Sequence, residues 1–335
     1  MAPTKGKRVY ERLSDAVGWT PLVRLRRSVE GLSGEFYAKI EFMNPMGSAK
    51  DRIARHMVQK ALGEGRLKAG DVIVENSSGN TAMGLAMMAA QEGLKCKMVV
   101  RDRTSREKLD CLRAVGVELC LVDAGLPPED LESYNKKAIA LSRQIPNAWF
   151  PDQHNNRDNN EAHYLTTGPE IWEQMDGRID FFVAGIGTGG TICGAGRYLK
   201  EQDPKITVVA VDPEGSVFYE YFHSGTVGKP GPYLLEGLGD EEIIGCPEFE
   251  VIDRFLRVAD CEAFLATRKL ARTEGILAGG SSGAALWALG EVVRRYGDTI
   301  QGRPARYVTL FPDSGSRYLS TIFNDDWMRR QGFLE

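Results

Sequence analysis

Cysteine and histidine are scarce in this sequence. Six cysteines (Cys96, Cys111, Cys120, Cys193, Cys246, Cys261) are spread over 335 residues without a Cys-x-x-Cys pair. That spacing argues against a disulfide framework or zinc ribbon and leaves small buried hydrophobes in a reducing compartment. The four histidines (His56, His154, His163, His223) show no His-Glu-x-x-His spacing, so no metal site is expected. An excess of charge of one sign is missing too. The chain has 42 Lys+Arg against 46 Asp+Glu, a net charge of −4, which gives no electrostatic case for nucleic acid or an anionic membrane as partner. No run approaches the roughly 20 apolar residues that span a bilayer. The opening Met-Ala-Pro-Thr-Lys-Gly-Lys-Arg leads into no apolar segment of the kind a secretory signal needs. These absences point to a soluble, cytoplasmic protein.

The length allows two domains with ample cores. Apolar runs of four to six residues alternate with segments of helical period, the pattern of a mostly parallel α/β sheet. Strands are expected at 36–41, 71–75, 97–101, 118–122, 180–184, 207–211 and 307–311. Helices are expected at 50–63, 80–92, 129–143, 165–175, 261–274 and 282–296, with another ending at Glu201. Thr104 and Glu107 form a capping box for a helix reaching Val115. Pro127 and Pro128 mark a loop, and 213–245 reads as a long irregular stretch of the kind that often carries function.

Two glycine-rich turns match motifs of other chemistries. Gly185-Ile-Gly187-Thr188-Gly189-Gly190 follows a strand and opens a helix, satisfies Gly-x-Gly-x-x-Gly, and has Asp212 at a distance suited to a ribose hydroxyl. A nicotinamide-dependent oxidoreductase is therefore a serious alternative. The physics of the loop is narrower: glycines let backbone amides approach an anion at a helix N-terminus, and Thr188 and Thr191 add hydroxyls suited to a phosphate monoester. Gly279-Gly280-Ser281-Ser282-Gly283 satisfies the serine-hydrolase pattern Gly-x-Ser-x-Gly, but no histidine lies beyond His223 to serve Ser281. Ser281 reads better as a hydrogen-bonding hydroxyl in a glycine-lined pocket.

A third cluster decides between them. Asn44-Pro45-Met46-Gly47-Ser48-Ala49-Lys50 puts a lysine at the start of a helix, after a turn. Alone, such a lysine is most often a solvated surface residue. At the positive end of a helix dipole, and partly buried, its ammonium form is disfavoured and the amine suits a Schiff base. An aldehyde carrying a phosphate would join this lysine to the glycine-rich loop. Pyridoxal phosphate is that molecule.

The ordered set Gly-Ser-x-Lys-Asp-Arg, Ser-Ser-Gly-Asn-Thr, Gly-x-Gly-Thr-Gly-Gly and Gly-Gly-Ser-Ser-Gly resembles the cysteine synthase and cystathionine β-synthase family, fold-type II pyridoxal-phosphate enzymes. The likeness runs from Gly18-Trp19-Thr20-Pro21-Leu22 to Pro312-Asp313-Ser314-Gly315, and the stretch 313–328 looks closest to the cystathionine β-synthase catalytic core. The resemblance implies a two-domain fold of the tryptophan synthase β type, each domain a mostly parallel sheet flanked by helices. It implies a smaller mobile domain of residues 46–150 that grips substrate and a larger cofactor-binding domain of 1–45 and 151–335, with the cofactor between them. It implies β-replacement on an activated L-serine-type amino acid through an aminoacrylate, with a thiol or sulfide as nucleophile. β-Elimination, or amine addition giving a diaminopropionate derivative, stays open. It also implies a homodimer.

By the same resemblance Lys50 carries the Schiff base and moves the α-proton, and Asn80 meets the ring hydroxyl. Gly187, Thr188, Gly189, Gly190 and Thr191 hold the phosphate, and Ser281 meets the pyridine nitrogen as a neutral donor. Ser77, Ser78, Gly79, Thr81 and Gln153 grip the substrate carboxylate. His154 and Asp240 stand where the family has aromatic residues and are expected on the acceptor side, although Asp240, followed by Glu241 and Glu242, could equally be part of a solvated acidic loop.

Overall fold

The computed structural model describes residues 9–335 except 128, 298 and 301. The first eight residues and Pro128 lie outside the described residues. The chain forms two compact units: residues up to Gly18 with Asn44–Asp158, and Trp19–Met43 with Asn159–Glu335.

The smaller unit is built on a four-stranded parallel sheet, in spatial order Glu118–Val122, Lys95–Arg101, Val72–Asn76 and Ala148–Trp149. Ile73, Val74, Met98, Val99 and Val100 are buried on both faces, as parallel strands covered by helices must be. Register sets Asn76 opposite Val99, so the carboxyl ends of two central strands lie side by side. The helices are Lys50–Gly63, Asn80–Glu92, Arg106–Ala114 and Tyr134–Gln144. Asn80–Glu92 stops at Gly93, whose φ of 66° is a left-handed cap that glycine adopts without strain. Residues 9–18, expected with the larger domain, belong to this unit because Arg12 pairs with Glu92 and the Ser14 N–H donates to Gln91.

The larger unit has six strands in the order Leu22–Arg24, Glu35–Ile40, Arg306–Phe311, Phe181–Gly185, Thr207–Pro213 and Arg254–Val258. The first pair is antiparallel and every other pairing parallel. Phe182, Val183, Val208, Val209 and Val308 fill its centre. Charged side chains are buried in it as well. Lys39 is fully buried, pairs with Glu170 at 2.7 Å, and donates to the Thr20 carbonyl and the Gln174 side chain at 2.8 Å each.

Local signals went astray where two residues compete for one role. The helix expected to start at Thr104 starts at Arg106, and its cap is Ser105, whose hydroxyl accepts from the Lys108 N–H at 3.5 Å. The helix expected from 129 begins at Tyr134 behind Ser133. The helix expected at 165–175 is observed as Thr167–Gln174, with a further helix, Asp158–Leu165, before it, and the stretch 213–245 contains a short helix, Phe218–Ser224. None of the helices among the described residues is long and apolar enough to cross a membrane. Three of the six cysteines (Cys96, Cys193, Cys246) are buried and no disulfide joins any of the six.

Candidate active site

In the smaller unit the turn before Lys50 is held by its own backbone. Gly47, at φ 83°, donates to the Asn44 carbonyl at 2.9 Å, and the Met46 N–H donates to Asp51 Oδ2 at 2.6 Å. The Lys50 N–H donates to Ser48 Oγ at 3.2 Å, fixing the first residue of the helix. That helix packs on Asn80–Glu92 at Gly84, where an added Cβ would stand 2.9 Å from Ala54 Cβ and 3.1 Å from the Lys50 carbonyl oxygen. Only a residue without a side chain allows this approach. The start of the lysine helix is thereby set against the first turns of the asparagine helix.

Ser77, Ser78 and Gly79 link the strand Val72–Asn76 to that second helix. Ser77 Oγ accepts from the N–H groups of Gly79 at 3.4 Å and Ala82 at 3.2 Å, which folds the turn back onto the helix start. Thr81 donates to Gln153 Oε1 at 2.6 Å, joining two residues expected at the carboxylate. The Gln153 N–H donates to Glu75 Oε2 at 3.1 Å, and the Asn76 N–H to Glu75 Oε1 at 2.9 Å. Burial pushes the Glu75 carboxyl up to about 8, against the pull of these two donors. His154 follows Gln153 in the same turn and is half-buried.

In the larger unit the glycine-rich turn joins Phe181–Gly185 to the helix Gly190–Gln202. Its back is closed. A Cβ on Gly187 would overlap the Gly237 carbonyl, one on Gly190 the Asn159 side chain, and one on Gly189 would lie 2.8 Å from Pro247 Cα. Gly189 has φ 84°. The helix start leaves its first N–H groups without intrahelical acceptors, an anion site of backbone donors. Asn159 Nδ2 donates to Thr188 Oγ1 at 2.9 Å, and Thr191 Oγ1 lies 3.1 Å from His163 Nε2, whose Nδ1 lies 2.8 Å from Thr167 Oγ1. Asn159 and His163, one helical turn apart, were not expected as site residues, and only their i, i+4 spacing could have hinted at a shared face.

Ser281 stands in the first turn of Gly280–Tyr296, is 7% exposed, and its hydroxyl has no partner among the described residues. Asp212 is occupied otherwise: fully buried, it accepts from the Tyr219 N–H at 3.1 Å, and burial lifts its carboxyl to about 7. It caps a helix and is not presented to a ribose. Asp240 Oδ1 accepts from the N–H groups of Glu241 at 2.8 Å and Glu242 at 3.2 Å, so its carboxylate shapes its own turn.

A family model described as pyridoxal-phosphate dependent enzyme matches residues 13–313. The chain belongs to that family. It is 42% identical to a cystathionine β-synthase of Apis mellifera over 96% of this chain and 62% of that protein. It is also 42% identical to a cysteine synthase of Staphylococcus aureus, over 93% of this chain and 96% of the other. Among solved structures it is similar to the O-acetylserine-dependent cystathionine β-synthase of Helicobacter pylori, with TM-score 0.83, 36% identity, and 94% of this chain and 99% of that one covered. The chain spans about three-fifths of the length of the cystathionine β-synthases it matches, 62% and 59%. The fold is that of the fold-type II enzymes, and the family's cofactor is pyridoxal 5′-phosphate.

The residues present fit that cofactor. A backed glycine loop offers N–H donors and threonine hydroxyls for a phosphate, Ser281 offers a free neutral hydroxyl for a ring nitrogen, and Lys50 offers an amine at a rigid helix start. Thr188→Val is expected to weaken cofactor retention by about 1.5–3 kcal/mol, one charge-assisted hydrogen bond. Asp212→Asn keeps an acceptor for the Tyr219 N–H and removes a buried charge, so it is expected to leave thermal stability near that of the wild type and cofactor affinity within twofold. Equilibrium dialysis of the two variants would separate a phosphate monoester from a dinucleotide, which needs the reverse order.

Proposed function

We propose that the protein catalyses pyridoxal-phosphate-dependent β-replacement on an activated L-serine-type amino acid, with a thiol or sulfide as nucleophile. The Cβ–O bond to the leaving group breaks, a Cβ–S bond forms, and the α-proton is removed and returned. The bound cofactor supplies the electron sink that makes the Cα–H acidic. Lys50 holds the cofactor through its Nζ and moves that proton. Asn80 orients the ring, residues 187–191 hold the phosphate, and Ser281 donates to the ring nitrogen. Ser77, Ser78, Gly79, Thr81 and Gln153 hold the substrate carboxylate at a helix start.

The observation that carries this reading is the approach at Gly84. It sets the Lys50 helix start against the helix that opens with Asn80 and Thr81, which supports placing the proposed amine and the proposed carboxylate grip on one packed unit. The smaller unit is proposed as the mobile, substrate-gripping one. His154 stays proposed for the acceptor side, whereas the turn role of Asp240 favours the solvated-loop alternative. Amine addition differs only in what attacks Cβ, whereas in β-elimination nothing adds there and the released product hydrolyses to pyruvate and ammonia. A cytoplasmic homodimer goes with the reading on the strength of the resemblance.

The test is a panel of serine derivatives and nucleophiles offered to the purified holoenzyme, with products identified by mass spectrometry. Thioether or thiol products from an O-substituted serine are expected. Pyruvate and ammonia alone would make it an eliminase, and reduction of a nicotinamide dinucleotide would overturn the reading.

A further inference from the structure

Arg101 ends the strand Lys95–Arg101, and Ser78 lies in the turn that follows Val72–Asn76. Each is two residues beyond the register pair Asn76–Val99, so they leave the sheet as neighbours at its carboxyl edge, where parallel sheets place their ligands. Tyr134, first residue of its helix, stands at the same edge. The Arg101 guanidinium carbon is 4.6 Å from the centre of the Tyr134 ring, and Ser78 lies near the phenol oxygen. Asn135, the next residue, accepts from Asn76 Nδ2 at 2.7 Å and fastens the helix start to the strand end. Arg101 is exposed and makes no ion pair among the described residues. A cation held over a ring, without a carboxylate partner, keeps donors for something else.

Resting on the proposed β-replacement, we propose that Arg101, laid on Tyr134, determines specificity by binding an anion (phosphate, sulfonate or carboxylate) carried on the substrate's leaving group or on the nucleophile. The guanidinium fork matches such oxyanions in two-point contact. Its place beside the carboxylate-gripping turn lets one amino acid engage both. A merely structural stack would affect all substrates alike.

The experiment uses holoenzyme and two matched pairs. With 2-mercaptoethanol as nucleophile, kcat/KM is compared for O-phospho-L-serine and O-acetyl-L-serine. With O-acetyl-L-serine, it is compared for mercaptoacetate and 2-mercaptoethanol. Arg101→Gln is expected to lower the charged-to-neutral ratio in one arm by about tenfold or more, the loss of one charge-assisted contact, and Arg101→Lys to restore part of it. The arm that moves identifies which reactant carries the anion. Ratios unchanged within twofold in both arms overturn the proposal. If the wild type turns over none of these compounds, the functional reading has failed, and calorimetric titration with O-phospho-L-serine and L-serine decides. A preference for the phosphorylated ligand that Arg101→Gln abolishes supports the anion site; an absent or unchanged preference overturns it.

Discussion

Lys50→Ala is expected to abolish the visible absorption that the wild type acquires with pyridoxal phosphate, and to lower turnover by at least about 10²–10⁴-fold. Two roles are lost together: the amine that holds the cofactor and the base that moves the α-proton. The turn before it should survive, because Asn44, Gly47, Ser48 and Asp51 make their bonds through backbone groups or through one another. The variant should therefore fold and melt near the wild-type temperature. Borohydride treatment of the wild type followed by peptide mass spectrometry should find the reduced adduct on Lys50. An adduct on another lysine would remove Lys50 from its assigned place.

Lys39→Met should produce the largest loss of stability, about 3–5 kcal/mol, because it strands the Glu170 carboxylate, 3% exposed, inside the larger unit. Lys39 also holds the Thr20 carbonyl, and the Thr20 hydroxyl donates to buried Glu41 at 2.6 Å, so three chain segments lose their common tie. Adding Glu170→Leu should recover most of the loss, since replacing a whole buried pair by apolar groups is often neutral. Chemical denaturation of the single and double variants measures both. A double variant as unstable as the single one would place the energy in the hydrogen bonds to Thr20 and Gln174 instead of in the charge.

The sequence is most readable where one local signal has no competitor. Lys50–Gly63 and Asn80–Glu92 were bounded from sequence as they are observed, because a Gly-Ser or Ser-Gly-Asn turn precedes each and glycine follows each. The strand Arg254–Val258 was missed because it lies at the sheet edge and alternates exposed arginine with buried Phe255, Leu256 and Val258. Glycine motifs alone left dinucleotide and monoester chemistry equally open. What resolves them is distant: Asp212 is taken by the Tyr219 N–H, and Thr188 is held by Asn159, 29 residues earlier. Braces of this kind leave no periodic trace, since each depends on a turn bringing remote residues together.

The topology of the larger sheet bears on how the protein is made. Arg306–Phe311 pairs with Glu35–Ile40 on one side and Phe181–Gly185 on the other, so the strand between them emerges from the ribosome more than 100 residues after the later of its two partners. Until then Glu35–Ile40 has an open edge and the apolar faces of Phe36, Ala38 and Phe181 lack the Tyr307 ring that stacks on both phenylalanines at 4.9 Å. The smaller unit meanwhile has every residue it needs by Asp158. Synthesis therefore delivers the smaller unit complete while the larger one is still unfinished, and the Glu35–Ile40 edge stays unsealed until Arg306–Phe311 arrives, the interval in which holding chaperones would matter most.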